Sequence, residues 1–248
     1  MTTDQPVGVI ATETRFVHVE HVMGTAVSFD VRDERPAPAA IDAAVAWLHH
    51  VDAEFSTYRP DSGVSRFARG EAPASDDLRW VIDRCERLRE RTGGFFDAHA
   101  TGSFDPSALV KGWAVQRAAD GLLIAGVERF CINAGGDVVA AGPAWRVGIR
   151  HPLDAHAVAA IVEAEDLAVA TSALYERSGH VLTPTGRPPE GVLSVTVTGP
   201  DLGIADAYAT AALAMGSDGP AWTLRLDGYE AMTILADERV LTTPGFPA

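Results

Sequence analysis

Apolar and polar positions alternate along the first part of the chain and then recur with helical spacing. Residues 16–32 alternate but are interrupted near Met23-Gly24-Thr25, which predicts two strands joined there by a turn. Residues 39–55 carry an apolar stripe that repeats every three to four positions, which predicts a helix facing the core. A polar loop over residues 54–66, with a turn at Pro60-Asp61, follows this helix.

Two further helices are predicted in the middle of the chain. Ser75 has the side chain of a helix N-cap, and the apolar stripe after it stops at Gly93-Gly94. A Gly-containing loop that carries Asp97 and Asp105 then leads to a helix that begins near Pro106. Lys111 sits early in that helix, where the dipole disfavours a cation, so it needs an anionic partner, either a phosphate or a nearby Asp.

Strand-like segments make up most of the second half. The sequence predicts short strands within residues 127–150, one strand over 158–171 and another over 192–199, with a hairpin near the end that turns at Asp227-Gly228. No internal repeat or low-complexity linker divides the chain. We therefore expect one compact α+β domain over residues 1–248, with antiparallel or mixed sheets, packed helices and a flexible tail at 1–14.

The helix predicted over residues 204–215 is apolar on nearly every side and should be buried. Asp206 and Thr210 interrupt it four residues apart, which places both on one face. A buried carboxylate needs compensation, and one carboxylate, one hydroxyl and a carbonyl suit a hard cation such as Mg²⁺. Alternatively, Asp206 lies at the helix N-terminus and Thr210 bonds back to its carbonyl.

Charge and composition narrow the function class. The chain has 20 Lys and Arg against 34 Asp and Glu, and the basic residues are scattered, which argues against nucleic acid or an anionic membrane as the main partner. Cys85 and Cys131 form no CxxC pair, so buried free thiols are expected rather than a disulfide. The sequence shows no secretory signal and no membrane-spanning stretch, which predicts a soluble cytoplasmic protein.

Three polar segments offer candidate binding residues, each with a structural alternative. Tyr58 could stack on a flat ring or cover the core. The Gly135-Gly136 turn with Asp137 could form a backbone nest for a nucleotide or a plain hairpin. His180 could be a general base, a phosphate contact or a surface residue.

Ten short motifs occur in the order found in the ApbE family, the FAD:protein FMN transferases, which the chain resembles over almost its whole length. Each motif is weak alone, but their joint order is specific. The motifs are MGT (23–25), FSTYRPDSGVSR (55–66), TGGFFD (92–97), DPSALVKGWAVQRAAD (105–120), INAGGD (132–137), WRVGIR (145–150), ATS (170–172), HVLTPTGRP (180–188), SVTVTGPD (194–201) and ADAYAT (205–210).

The resemblance implies an ApbE-like fold with FAD in a cleft and a set of site residues. It implies that Mg²⁺, or Mn²⁺, is held by Asp206, Thr210 and the main-chain carbonyl of Ala108. It places His180 as the active-site histidine, with Asp206 as the second candidate for the general base. The implied FAD-binding residues are Met23, Gly24, Thr25, Tyr58, Asp97, Ser107, Lys111, Gly135, Gly136, Asp137 and Ser172.

The resemblance also implies a reaction: FMN passes from FAD to a Thr or Ser hydroxyl of an acceptor flavoprotein, and AMP leaves. Two alternatives use the same site, a metal-dependent FAD pyrophosphatase and a non-catalytic FAD carrier. The chain departs from longer relatives because it has no amino-terminal signal or lipobox cysteine, so we expect no membrane anchor. Its segment between Asp97 and Asp105 is also short.

Overall fold

The structure is a computed structural model that describes residues 15–33, 38–143, 145–174 and 181–248. The expected flexible tail at 1–14 lies outside these residues. The helices in the described residues are α1 (Pro38–Phe55), α2 (Gly63–Ala68), α3 (Asp76–Arg91), α4 (Ser107–Ile124), α5 (Leu202–Ala214) and α6 (Gly219–Thr223). A short 3-10 turn at Gly216–Asp218 joins the last two.

Ten strands in the described residues form one large and one small antiparallel sheet. The strands are β1 (Phe16–Val22), β2 (Thr25–Val31), β3 (Phe130–Ala134), β4 (Asp137–Ala141), β5 (Trp145–Arg150), β6 (Val158–Ala164), β7 (Leu167–Ala173), β8 (Val192–Gly199), β9 (Glu230–Leu235) and β10 (Val240–Thr242). The eight-stranded sheet has the order β1-β2-β3-β4-β7-β8-β9-β10, and β5 pairs with β6 as a separate hairpin. Thus β4 and β7 are neighbours although the β5–β6 hairpin separates them in sequence.

The large sheet lies between a helical layer and the β5–β6 hairpin. Alternate residues of its strands enter two different cores, as strand geometry requires. On β8, Val195 and Val197 belong to the main core that contains α1, α4 and α5. On β7 and β9, Val169 and Met232 belong to a second core that the hairpin completes with Trp145 and Val162. The predicted α+β class is confirmed.

Several predicted elements are confirmed and three need correction. The residues predicted as one strand over 158–171 form two, because Glu165-Asp166 makes a tight turn in which Asp166 has a positive φ of 45°. The polar loop over 54–66 contains the start of a short helix, α2, which Ser62 caps by accepting a hydrogen bond from Ser65 N. Asp227-Gly228 does turn, but it leads into β9, and the final hairpin turns between β9 and β10.

Helices α4 and α5 pack unusually close together, and the contact is made by glycine. A Cβ added at Gly112 would lie 2.6 Å from the Leu202 carbonyl oxygen and 2.9 Å from Gly203 Cα, so a side chain there would collide with backbone. The close approach brings the second turn of α4 beside the first turn of α5. It therefore sets the distance between Lys111 on α4 and Asp206 on α5.

The two cysteines are free, as expected. Burial raises the pKa of Cys85 to about 12, and burial likewise raises the pKa of Cys131 to about 11. Both groups are therefore thiols rather than reactive thiolates at neutral pH. None of the helices in the described ranges combines the length and apolar character needed to cross a membrane.

We expect Gly112→Ala to destabilise the fold by about 1–3 kcal/mol, since the new methyl group overpacks a backbone contact. Gly121→Ala is the matched control, because it lies on the same helix and its added Cβ meets nothing within 4 Å. The control should be neutral or gain up to about 1 kcal/mol from better helix propensity. Urea unfolding of both variants measures the difference, and equal stabilities would contradict the close packing.

Candidate functional site

Helix α5 carries the predicted carboxylate and hydroxyl into the protein interior. Its N-cap is Asp201, whose Oδ1 accepts a hydrogen bond from Ile204 N at 2.8 Å. Since the helix begins at Leu202, Asp206 lies inside it, and the alternative that placed Asp206 at the helix N-terminus is wrong. The Asp206 side chain is only 5% exposed. A buried carboxylate in mid-helix requires a compensating charge or hydrogen-bond donors.

Lys111 supplies positive charge to two buried carboxylates. Its Nζ contacts Asp137 Oδ2 directly and lies 3.9 Å from Asp206 Oδ2. The Asp137 side chain is 1% exposed and the Lys111 side chain 30% exposed, so Lys111 is the least buried member of the trio. The sequence left a phosphate or an Asp as the partner of Lys111, and the structure provides the Asp.

Asp137 is fixed from its other side by β7. It is the first residue of β4, and the backbone ladder between β4 and β7 begins one residue later, where Val138 pairs with Val169. Beyond that pair, Thr171 N donates to Asp137 Oδ1 at 3.1 Å. The carboxylate therefore takes the place of a main-chain acceptor at the end of the ladder.

Thr210 and Ser172 form a pair of hydroxyls close to the charged groups. Their Oγ atoms lie 3.1 Å apart, which joins α5 to β7 by a hydrogen bond. On the same strand, Thr171 Oγ1 lies 2.9 Å from Thr196 Oγ1 of β8. Thr171 thus contributes its backbone N–H to Asp137 and its hydroxyl to the neighbouring strand.

The two predicted glycine turns lie against each other. Val27 of β2 pairs with Ala134 of β3, so the turn that precedes β2 reaches the turn that follows β3. Gly135, with φ of 62°, approaches Thr25 so closely that an added Cβ would lie 2.8 Å from Thr25 Oγ1. Within the second turn, Asn133 Oδ1 accepts a hydrogen bond from Gly136 N at 2.9 Å. Both turns thus connect hairpin strands, and the second leads directly into Asp137.

The first turn has two residues in the left-handed region. Met23 has φ of 54° and Gly24 has φ of 72°. A non-glycine residue in this conformation is uncommon, so the turn holds Met23 in a defined and somewhat strained geometry.

The structure describes the surroundings of most of the other predicted residues but not of His180. Tyr58 is 81% exposed, so its alternative role of covering the core does not apply. Asp97 Oδ1 accepts a hydrogen bond from the backbone N–H of His99 at 2.8 Å. Ser107 begins α4 and donates its backbone N–H to Asp105 Oδ1 at 3.0 Å, with Ala108 next along the helix. His180 lies outside the described residues.

Sequence reasoning assigned no site role to Thr171, and it placed Asp105 in the loop before α4 without a role. Thr171 acts through a backbone N–H, which leaves no side-chain signal in the sequence. Asp105 accepts the backbone N–H of Ser107, the first residue of α4, and the D-P-S pattern at the helix start was the available signal. Both residues orient groups that the sequence did identify.

The donor set suits a hard cation. The described residues contain no group of three or more His, Cys, Asp or Glu able to hold a metal ion. A cation beside Asp206 would therefore be held by one carboxylate, by hydroxyl or carbonyl oxygens and by oxygens of its ligand. Such an all-oxygen, partly open set matches Mg²⁺, which keeps several waters or substrate phosphates as ligands.

A comparison with protein families identifies the chain. The model described as "ApbE family" matches residues 23–103 and 98–233. The chain belongs to the ApbE family. The family resemblance inferred from the sequence is thereby confirmed.

Curated relatives carry one name, FAD:protein FMN transferase. The relative from Rhodobacter capsulatus is 30% identical over 236 residues, which cover 85% of this chain and 43% of the relative. The relative from Vibrio cholerae is 35% identical over 130 residues, which cover 46% of this chain and 39% of the relative. This chain therefore matches about two fifths of the length of these two ApbE proteins.

Solved structures of ApbE proteins share the fold. "Flavin Transferase ApbE from Vibrio cholerae" superposes with a TM-score of 0.83 at 24% identity, covering 95% of this chain and 99% of that one. The ApbE protein from Thermotoga maritima gives a TM-score of 0.83 at 22% identity, covering 95% and 100%. The arrangement of sheets and helices is thus that of the ApbE fold.

We expect Gly135→Ala to destabilise the chain through two separate costs. A left-handed φ costs a non-glycine residue about 1–2 kcal/mol, and the new methyl group also collides with Thr25 Oγ1. Gly24→Ala should show the first cost alone, because its added Cβ meets nothing within 4 Å. Thr25→Ala added to Gly135→Ala should recover part of the loss, as measured by thermal unfolding of the wild type, the two single variants and the double variant; no recovery would contradict the contact.

Proposed function

We propose that this chain catalyses the Mg²⁺-dependent transfer of FMN from FAD to a Thr or Ser hydroxyl of an acceptor flavoprotein, with release of AMP. The proposal rests on one observation above all: Lys111 Nζ of α4 lies 3.9 Å from Asp206 Oδ2 of α5, and Thr210, one turn farther along α5, is hydrogen-bonded to Ser172 of β7. The curated relatives named FAD:protein FMN transferase support it.

The transfer exchanges the phosphoanhydride bond of the pyrophosphate for a phosphoester bond to the acceptor. The hydroxyl oxygen of the acceptor forms a bond to the FMN-side phosphorus of FAD, and the bond from that phosphorus to the bridging oxygen breaks. AMP leaves with the bridging oxygen, and the hydroxyl proton passes to a base. Such reactions depend mainly on positioning and on neutralising phosphate charge.

Lys111 and Asp206 would provide most of the charge control. The Lys111 side chain is partly exposed, and its ammonium would bind a phosphate oxygen while it stays paired with Asp137. Asp206, Thr210 and the Ala108 carbonyl would hold the divalent ion. When bound, Mg²⁺ would supply positive charge to the pyrophosphate oxygens. Ser172 would fix the rotamer of Thr210 through their hydrogen bond.

The remaining predicted contacts would hold the rest of FAD and move the proton. Tyr58 exposes a ring on which a flat heterocycle could stack. The Met23-Gly24-Thr25 and Gly135-Gly136 turns would bring backbone close to the dinucleotide. We assign the role of base to His180, with Asp206 as the second candidate.

The product pattern tests this function against hydrolysis and simple binding. Purified protein is incubated with FAD and MgCl₂, with or without an acceptor domain that an ApbE relative is known to flavinylate, and FAD, FMN and AMP are separated by chromatography. Transfer predicts AMP with fluorescent acceptor on a denaturing gel. Free FMN with AMP in the absence of acceptor would indicate a pyrophosphatase, and intact FAD throughout would indicate a carrier.

Asp206→Ala should abolish FMN transfer and weaken Mg²⁺-dependent FAD binding, because it removes the carboxylate of the proposed ion site. Isothermal titration with FAD, with MgCl₂ or with EDTA, measures binding, and gel fluorescence measures transfer. EDTA should weaken FAD binding to the wild type but leave binding to the variant unchanged. Normal transfer by the variant would disprove the metal site.

His180→Ala should leave FAD affinity near the wild-type value and lower the transfer rate by about 10²–10⁴-fold, the usual contribution of a general base. Single-turnover gel fluorescence gives the rate, and titration gives the affinity. His156→Ala, which changes an exposed histidine, is the matched control and should leave both unchanged. An unchanged rate in His180→Ala would rule out His180 as the general base and leave Asp206 as the candidate.

A further inference from the structure

Asp137 is buried too deeply to act on a ligand directly. Its side chain is 1% exposed, and one carboxylate oxygen meets Lys111 while the other accepts Thr171 N. Lys111, by contrast, keeps 30% of its side chain exposed. An effect of Asp137 on a bound dinucleotide would therefore pass through the groups that it holds, and of these the Lys111 ammonium carries the charge that a phosphate would meet.

The geometry of the pair is set by the sheet. Thr171 N fixes one oxygen of Asp137 at the end of the β4–β7 ladder, so the other oxygen has a defined direction toward α4. Lys111 reaches this oxygen from α4 and lies 3.9 Å from Asp206 Oδ2 on α5. A long, flexible lysine side chain is thereby held in one place by a rigid acceptor.

The choice of lysine is informative in this chain. Of its 20 Lys and Arg residues, Lys111 is the only lysine, and all the others are arginines. An ammonium group is a compact point charge that can sit between two carboxylates, whereas the planar guanidinium of arginine needs a fork-shaped partner. The structure uses the smaller cation at the place where Asp137 and Asp206 converge.

We propose that Asp137 is a positioning residue that aims the Lys111 ammonium at the phosphate groups of FAD without touching FAD itself. The proposal rests on the proposed function, since that function supplies the dinucleotide. It assigns Asp137 a different role from a direct cofactor contact. It also makes a quantitative claim: removing Asp137 should weaken FAD binding only while Lys111 is present.

A double-mutant cycle tests this claim by FAD titration in MgCl₂. Asp137→Asn keeps an oxygen for Thr171 N but removes the charge that holds Lys111. We expect it to weaken FAD binding about tenfold, as for loss of one charge-assisted hydrogen bond, and Lys111→Met to weaken it at least as much. The double variant should bind FAD no more weakly than Lys111→Met, to within about twofold.

Asp166→Asn is the matched control. Asp166 Oδ1 accepts a backbone N–H from Gly142 at 2.8 Å, as Asp137 Oδ1 does from Thr171. Asp166→Asn therefore changes a carboxylate that accepts a backbone N–H in the same way, at the turn between β6 and β7. The control should leave FAD affinity unchanged in both the wild-type and the Lys111→Met backgrounds.

Unfolding measured without FAD separates positioning from damage to the fold. Thermal unfolding of the four proteins of the cycle gives the coupling between Lys111 and Asp137 independently of any ligand. Should Asp137→Asn fail to fold, Asp137→Glu keeps the charge and moves it by one methylene group. Its loss of FAD affinity should likewise vanish in the Lys111→Met background.

Two results would overturn the proposal. Multiplicative losses of FAD affinity in the double variant would mean that Asp137 acts independently of Lys111, and an unchanged affinity in Asp137→Asn would mean that it has no role in binding. Failure of the proposed function looks different. A wild type that binds FAD but never releases AMP contradicts transfer, while the binding cycle still decides the role of Asp137.

Discussion

Burial of two carboxylates around one lysine is the constraint on which the site depends. Asp137 comes from the sheet and Asp206 from α5, and neither is more than 5% exposed. Leaving either charge without a counter-charge would cost several kcal/mol. Lys111 therefore stabilises the folded protein and is also the cation that we propose binds the ligand's phosphate groups. The glycine contact between α4 and α5 is part of the same arrangement, because a wider spacing would carry Lys111 away from Asp206.

Periodicity predicted most of the fold because most elements bury one face. The stripe of α1 and the N-cap Ser75 of α3 gave bounds within a few residues of those observed. The failures occurred where local signals were short. The turn at Glu165-Asp166 lacks Gly and Pro and divides a mostly apolar segment, and α2 is only six residues long.

The candidate site was predictable in its chemistry but not in its connections. Asp206 and Thr210 are visible in the sequence because a polar pair interrupts a buried helix. The link from Thr171 to Asp137 runs through a main-chain N–H, and the burial of Asp137 depends on strands that are distant in sequence. The aromatic ring of Tyr58 suggests stacking, but the sequence did not reveal whether the ring is buried, and the structure shows that it is exposed to solvent.

The insertion of the β5–β6 hairpin between β4 and β7 has a consequence for folding order. Chain segments near each other in sequence can associate early, whereas the pairing of β4 with β7 must close a loop that contains the whole hairpin. Asp137 meets Thr171 only after that closure, and Asp206 arrives from a still later segment. The charged trio is thus a product of nonlocal assembly, and fragments of the chain that retain native helices would lack it.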